Sequence, residues 1–353
     1  MSSLNDQNRR AARIHGWLWG GLCWLAGTIS PAAEPLEKYE FLRIRMGVSV
    51  AIQVYADDGA AANLAADAAY ARFKQLDRIL SDYDPDSELM QLCASSGPGN
   101  PVGVSEDLAR VLQRSQVLAE QTDGAFDLTV GPIVNLWRIA RRRKTPPPPE
   151  KLEAALAKVG YRNVQLDLED LTVELLQPGM RLDPGGIAVG YAVDEAMAIF
   201  RQHRLARVLI DASGDIAVGD PPPGRDHWLI EIEALGAGTQ PRLVLALKNC
   251  AVTTSGDASK YVEFDGVRYS HIVDPKTGYG LTRRTSATII APDCTTADSL
   301  ATTVNVLGQE RGLELISETP RTEAVIEYIG KDERTMTSES GGFRNLLADS
   351  RDR

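Results

Sequence analysis

The sequence predicts an α+β protein whose strands are mostly antiparallel and flanked by helices. Three observations carry that prediction. Segments of helical apolar spacing and segments rich in β-branched residues fall in separate blocks, so a regular parallel βαβ array is not expected. No fixed period recurs along the chain, which sets aside solenoids and propellers. The length of 353 residues, with 43% apolar, 6% aromatic and 24% charged side chains, suits one large domain or two intimately joined ones. The same composition excludes a disordered, collagen-like or multi-span membrane chain.

The N-terminus reads as an address. Arg9, Arg10 and Arg13 precede Ile14 to Ile29, a run without Asp, Glu, Lys or Arg, and the small residues Ser30, Ala32 and Ala33 follow. That order predicts a secretory signal peptide over residues 1–33. The run is shorter than the ~20 apolar residues that span a bilayer. An uncleaved inner-membrane anchor is the alternative. Residues 34–353 would then be a periplasmic domain. Cys23, Cys93, Cys250 and Cys294 are too few and too scattered for a disulfide scaffold and lack zinc-ligand spacing. One disulfide with a spare thiol, or three buried thiols, both remain open for the mature chain. The net charge of −10 gives no support to a nucleic-acid-binding surface.

Along the mature chain, Phe41 to Tyr55 reads as two short strands or one bent strand, with Met46-Gly47 at the bend. Ala60 to Leu80 has Ala69, Phe73, Leu76 and Leu80 at helical spacing, and Ser81 to Ser87 (SDYDPDS) is a loop. Ser105 caps a helix that runs to Thr122. Arg141 to Pro149 (RRRKTPPPP) reads as an exposed basic and proline-rich loop, because the prolines cannot continue a helix. Contact with an anionic partner is the functional alternative there. Glu150 to Val159 is a helix, Val164 to Leu176 a hairpin, Tyr191 to Arg204 an amphipathic helix and Val208 to Ile210 a buried strand. Strands dominate Trp228 to Phe264. Helices follow at Thr295–Leu307 and Glu310–Ser317, then a strand at Ala324–Tyr328.

Four segments could carry chemistry. Leu182 to Asp194 (LDPGGIAVGYAVD) leaves backbone groups of Gly185, Gly186 and Gly190 open to a ligand and leads into a helix whose free amides favour an anion. The same glycines would serve equally as a tight turn. Asp298 and Thr302 stand one helical turn apart and present two hard oxygen donors of the kind magnesium accepts. Unaided, helix capping explains them better. Of the 4 histidines, His15 lies in the signal, and His203 and His227 look exposed. His271 is therefore the candidate general base, with a bond to Asp274 as the structural alternative. Phe126 and Tyr83 could stack on a planar ring or simply belong to the core.

Taken in order, the chain resembles the ApbE family of FAD:protein FMN transferases. The resemblance rests on Met46-Gly47, Ser81–Leu89, Gly124–Trp137, Asp183–Asp194, Asp211–Gly214, Thr254–Gly256 with Tyr269–Gly278, and Ala297–Thr302. It spans about residues 40 to 340. It implies a T-fold-like architecture and a secreted, Mg²⁺-dependent enzyme that takes FAD as substrate. Such an enzyme attaches FMN to a threonine of an exported or membrane redox flavoprotein and releases AMP. Carried over residue by residue, the FAD contacts fall on Met46, Tyr83, Ala125, Phe126, Asp127, Asp183, Val189 and Ile272. The metal ligands fall on Gly186, Asp298 and Thr302, and the essential histidine on His271. Three positions depart from the family pattern. Val48 stands for a usual threonine, Pro184 for an apolar residue and Val189 for a lysine able to bond a phosphate or ribose. With His271, Asp298 and Thr302 retained, transfer is expected. Flavin delivery without turnover and hydrolysis of FAD to FMN and AMP are the alternatives.

Overall fold

In the computed structural model, residues 35–232, 235, 243–256, 261–330 and 334–349 are described, so the expected signal at 1–33 and Cys23 lie outside the described residues. The described chain begins with a hairpin of β1 (Glu37–Arg45) and β2 (Val48–Ala56), two full strands. Its turn is Met46-Gly47, with φ of 49° and 74°. The Asp58 carboxylate caps α1 (Gly59–Leu80) by accepting from the Ala60 amide at 2.8 Å. Next come α2 (Glu88–Ala94), capped by Ser87, then β3 (Val102–Gly103), and α3 (Glu106–Gln121), capped by Ser105 as expected. A 3₁₀ turn at Leu128–Val130 leads into α4 (Gly131–Arg143), and α5 (Pro149–Leu156) follows.

The basic segment is a correction. Arg141, Arg142 and Arg143 form the last turn of α4, where cations oppose the helix dipole. Lys144 ends the helix in a left-handed conformation, φ 53°. Pro149 begins α5, a position where its missing amide costs nothing. Only Lys144 to Pro148 connects the two helices.

The hairpin β4 (Val164–Asp167) and β5 (Thr172–Leu175) matches expectation and joins β3 in a small sheet. Helix α6 (Ala188–Gln202) starts three residues earlier than its spacing predicted. Strands β6 (Val208–Ala212), β7 (Asp215–Val218), β8 (Trp228–Ile232), β9 (Leu243–Leu247), β10 (Cys250–Gly256), β11 (Tyr261–Phe264), β12 (Val267–Ser270) and β13 (Thr285–Ala291) fill the expected strand region. The described chain closes with α7 (Cys294–Leu307), α8 (Gln309–Glu318), β14 (Glu323–Ile329) and β15 (Thr335–Glu339).

The main sheet has eight antiparallel strands in the order β1-β2-β6-β7-β10-β13-β14-β15. Period-two alternation sends its side chains into two separate cores. Val50, Ile52, Ala217, Ala251, Ile289 and Ile326 face the layer made by α1, α6 and α7. Their neighbours Val218, Val252, Ile290 and Val325 face the β8–β9 hairpin and Phe343. Strand β13 is buried on both faces along its length. A third core is small: Ile133, Trp137 and Ala140 of α4 pack on Leu152 and Ala155 of α5 and on Val273. The α+β expectation holds. Among the described residues no helix is long and apolar enough to cross a membrane. Cys93, Cys250 and Cys294 are free.

Candidate active site

A cleft of about 410 Å³ lies between the small core and the helix layer, a size typical of small-molecule sites. Its walls are the loop Ala125–Val130, one face of α4, the turn Asp183–Gly186, the segment His271–Pro275 and the end of α7 at Thr302 and Val306.

The first wall is ordered by Asp127. Its Oδ1 accepts from the Thr129 amide at 2.7 Å and the Thr129 hydroxyl at 2.6 Å, and its Oδ2 accepts from the Tyr161 amide at 2.9 Å. Burial raises the Asp127 carboxyl pKa, and the bonds from Thr129 and Tyr161 oppose that shift. The resemblance places Asp127 among the FAD contacts. Both its oxygens are instead engaged in holding the loop that presents Ala125 and Phe126.

The α4 face contributes an arginine that the sequence did not single out. Arg138 pairs with Asp82 and, at 2.8 Å, with Asp183, while its guanidinium lies 4.4 Å from the ring centroid of Tyr83. Tyr83 is 77% exposed, so this contact fixes an aromatic plate at the cleft rim. Burial and then Asp82 push the Asp183 carboxyl up, and Arg138 pulls it down. Arg138→Met would strip two buried carboxylates of the cation paired with them, leaving Arg181 as the nearby positive charge. It is expected to cost about 3–5 kcal/mol of stability near neutral pH. Without the arginine, the folded state holds a proton on Asp183 more tightly than the unfolded state does. The deficit should therefore shrink as pH falls, which urea titrations at pH 8 and pH 5 would read.

The glycine turn is shaped by what lies behind it. A Cβ on Gly186 would stand 2.8 Å from Thr302 Oγ1, and one on Gly190 would stand 2.5 Å from the Cys294 carbonyl oxygen and 2.8 Å from Asp298 Cβ. These close approaches, rather than an unusual φ, require glycine here. They press the turn and the start of α6 against α7. Gly190→Ala is expected to lower unfolding free energy by about 1–3 kcal/mol, read by urea denaturation.

Asp298 is 6% exposed and accepts from the Gly190 amide at 3.2 Å. Burial, and then Asp215, hold its carboxyl well above the ordinary range; the Gly190 bond opposes them and Asp194 adds to them. A buried acid beside other acids suits a cation. Thr302 stands one helical turn further along α7, and Gly186 abuts it.

The opposite wall is stiff. The Ile272 amide donates to Ser270 Oγ at 3.1 Å, the Leu281 amide to the Ile272 carbonyl at 2.9 Å, and Trp137 Nε1 to the Gly278 carbonyl at 2.8 Å. His271 is half-buried on this wall and lines the cleft. Thus Tyr83, Ala125, Phe126, Asp127, Asp183, Gly186, His271, Ile272 and Thr302 line one cavity. Met46 and Val189 do not line it; both are partly buried and pack on the main core. Asp298 lies one helical turn before Thr302. His203 and His227, expected at the surface, are half-buried and also lie outside the cleft. Sequence reasoning missed Asp82, Val134, Arg138 and Val306, and took Arg141 only as part of an exposed basic loop with an anionic partner as the alternative. The spacing Val134, Arg138, Arg141 on one helical face was the available signal. A larger cavity of about 700 Å³ opens beside α3 and α6, but none of the predicted site residues lines it.

The ApbE family model matches residues 46–326. The chain belongs to the ApbE family. Its relatives agree. A Treponema pallidum protein named FAD:protein FMN transferase is 34% identical over 353 residues, covering 95% of this chain and 97% of that one. A Haemophilus influenzae protein of the same name is 34% identical, covering 78% and 81%. The solved structure of the flavin transferase ApbE from Vibrio cholerae superposes with a TM-score of 0.81 at 27% identity, covering 89% of this chain and all of that one. The antiparallel sheets and flanking helices are therefore the architecture of ApbE proteins.

Proposed function

We propose that this ApbE protein transfers FMN from FAD to a threonine hydroxyl of an acceptor protein. The observation that carries the reading is one cleft lined together by His271, the glycine turn, Thr302, Tyr83 and Phe126. A base and a phosphate cradle thereby share one site with two aromatic surfaces.

The chemistry follows from these groups. Tyr83 and Phe126 offer faces to planar rings, and the Asp183–Gly186 backbone approaches the diphosphate closely. A neutral threonine hydroxyl is a weak nucleophile, so His271 takes its proton as the oxygen attacks the FMN phosphorus. The new bond is threonine Oγ to phosphorus. The bond that breaks is the P–O bond of the diphosphate, and AMP departs with the bridging oxygen. A magnesium ion held by Asp298, Thr302 and the Gly186 carbonyl would supply counter-charge to the phosphate oxygens.

The protein incubated with FAD, Mg²⁺ and a threonine-bearing acceptor should yield in-gel flavin fluorescence on the acceptor and equimolar AMP. Absence of covalent flavin overturns the reading. Free FMN with AMP assigns hydrolysis instead. The pattern of residues 1–33 supports an exported location, with which an acceptor among periplasmic or inner-membrane redox proteins would agree. Mass analysis of the N-terminus of the exported protein would decide between a cleaved signal and a retained anchor.

A further inference from the structure

Three side chains of α4 line the cleft, at positions 134, 138 and 141. Two are arginines, and their surroundings differ. Arg138 is neutralised by Asp82 and Asp183. Arg141 is half-buried at the cleft wall, and its guanidinium makes no hydrogen bond or ion pair among the described residues. The next residues, Arg142 and Arg143, also lie in the last turn of α4 but are exposed and do not line the cleft. Helix-dipole compensation accounts for all three equally, so it does not explain why one of them turns inward.

The acids at the cleft leave Arg141 without a counter-charge. Asp82 and Asp183 face Arg138, and Asp127 is engaged with Thr129 and Tyr161. A guanidinium half removed from water loses hydration and gains nothing unless an anion joins it. Its planar fork matches a phosphate's oxygens. We propose that Arg141 is a phosphate-binding residue of the cleft and holds the diphosphate of FAD. The inference rests on the functional reading above and adds to it a positive charge supplied by the chain itself.

Riboflavin separates the two. It carries the same ring system as FAD and no phosphate. Both ligands are titrated against wild type, Arg141→Gln, Arg141→Lys and Arg142→Gln by flavin fluorescence in one magnesium-containing buffer. Wild type should bind FAD more tightly than riboflavin; failure to bind FAD at all overturns the functional reading along with this one. With FAD bound by wild type, Arg141→Gln should weaken FAD by about 10- to 100-fold, the range for a charge-assisted bond, and leave riboflavin unchanged. Arg141→Lys should recover part of the loss, and Arg142→Gln should match wild type for both ligands. The salt dependence of FAD affinity should flatten in Arg141→Gln. FAD affinity within twofold of wild type overturns the proposal. So does an equal loss for riboflavin, which would make Arg141 a packing residue. Unchanged FAD affinity with a raised KM for the acceptor protein would also overturn it and assign the side chain to acceptor docking.

Discussion

Replacing His271 with alanine is expected to slow FMN transfer by about 10²- to 10⁴-fold, the usual contribution of a general base. FAD affinity should stay within a few-fold, because the faces of Tyr83 and Phe126 and the glycine turn are untouched. The fold should persist, since backbone bonds and the Trp137 indole hold the loop. Single-turnover rates at saturating FAD, compared with equilibrium FAD titration, separate the two effects. A variant that transfers at the wild-type rate would remove His271 from the mechanism.

Asp298→Asn should be as damaging by a different route. The amide keeps an oxygen to accept from the Gly190 amide and nearly the same volume, so the turn should stay in place. What it loses is the charge that suits a divalent cation. Transfer should fall by at least about 100-fold, since removing even an outer partner of a metal ligand commonly costs 10- to 100-fold. Stability should move the other way or not at all. In the metal-free protein Asp298 is a buried acid near Asp215 and Asp194, and a neutral side chain relieves that crowding. Melting curves with FAD, with and without magnesium, provide the check. Magnesium should raise the Tm of wild type and leave the variant unmoved. A metal-dependent shift in Asp298→Asn would take this residue out of the donor set.

Much of this arrangement was legible in the chain because it is local. The β1–β2 hairpin shows in the alternation around Met46-Gly47, and the caps of α1 and α3 are Asp58 and Ser105, residues whose side chains bond the first turn. The Asp298–Thr302 spacing and the run of glycines were visible in the chain, but helix capping and a tight turn accounted for them as well. The hidden features depend on distant partners. Strand β2 lies beside β6, some 150 positions away, and nothing within either strand encodes that choice. Strand β13 (TSATIIA) is buried on both sides, with hydroxyl residues on each, and therefore gives no alternation to read. Helix α4 was obscured by the arginines and prolines at its end, although Pro132 at its start and the stripe Ile133, Trp137, Ala140 mark a helical face. Arg138 could not be recognised as a site residue, because its meaning comes from Asp82 and Asp183, 56 and 45 positions away.

The cleft's two sides are fastened by unequal means. Thr302 and the glycine turn sit on the extensive core beneath the large sheet, whereas α4 and the His271 loop depend on a handful of apolar side chains around Trp137 and Leu152. Damage to that modest cluster, even at Leu152 on α5, would slacken one jaw while the bulk of the molecule kept its resistance to heat. Loss of grip and loss of fold are thus separable in this protein, and a variant can be sturdy and inert at once.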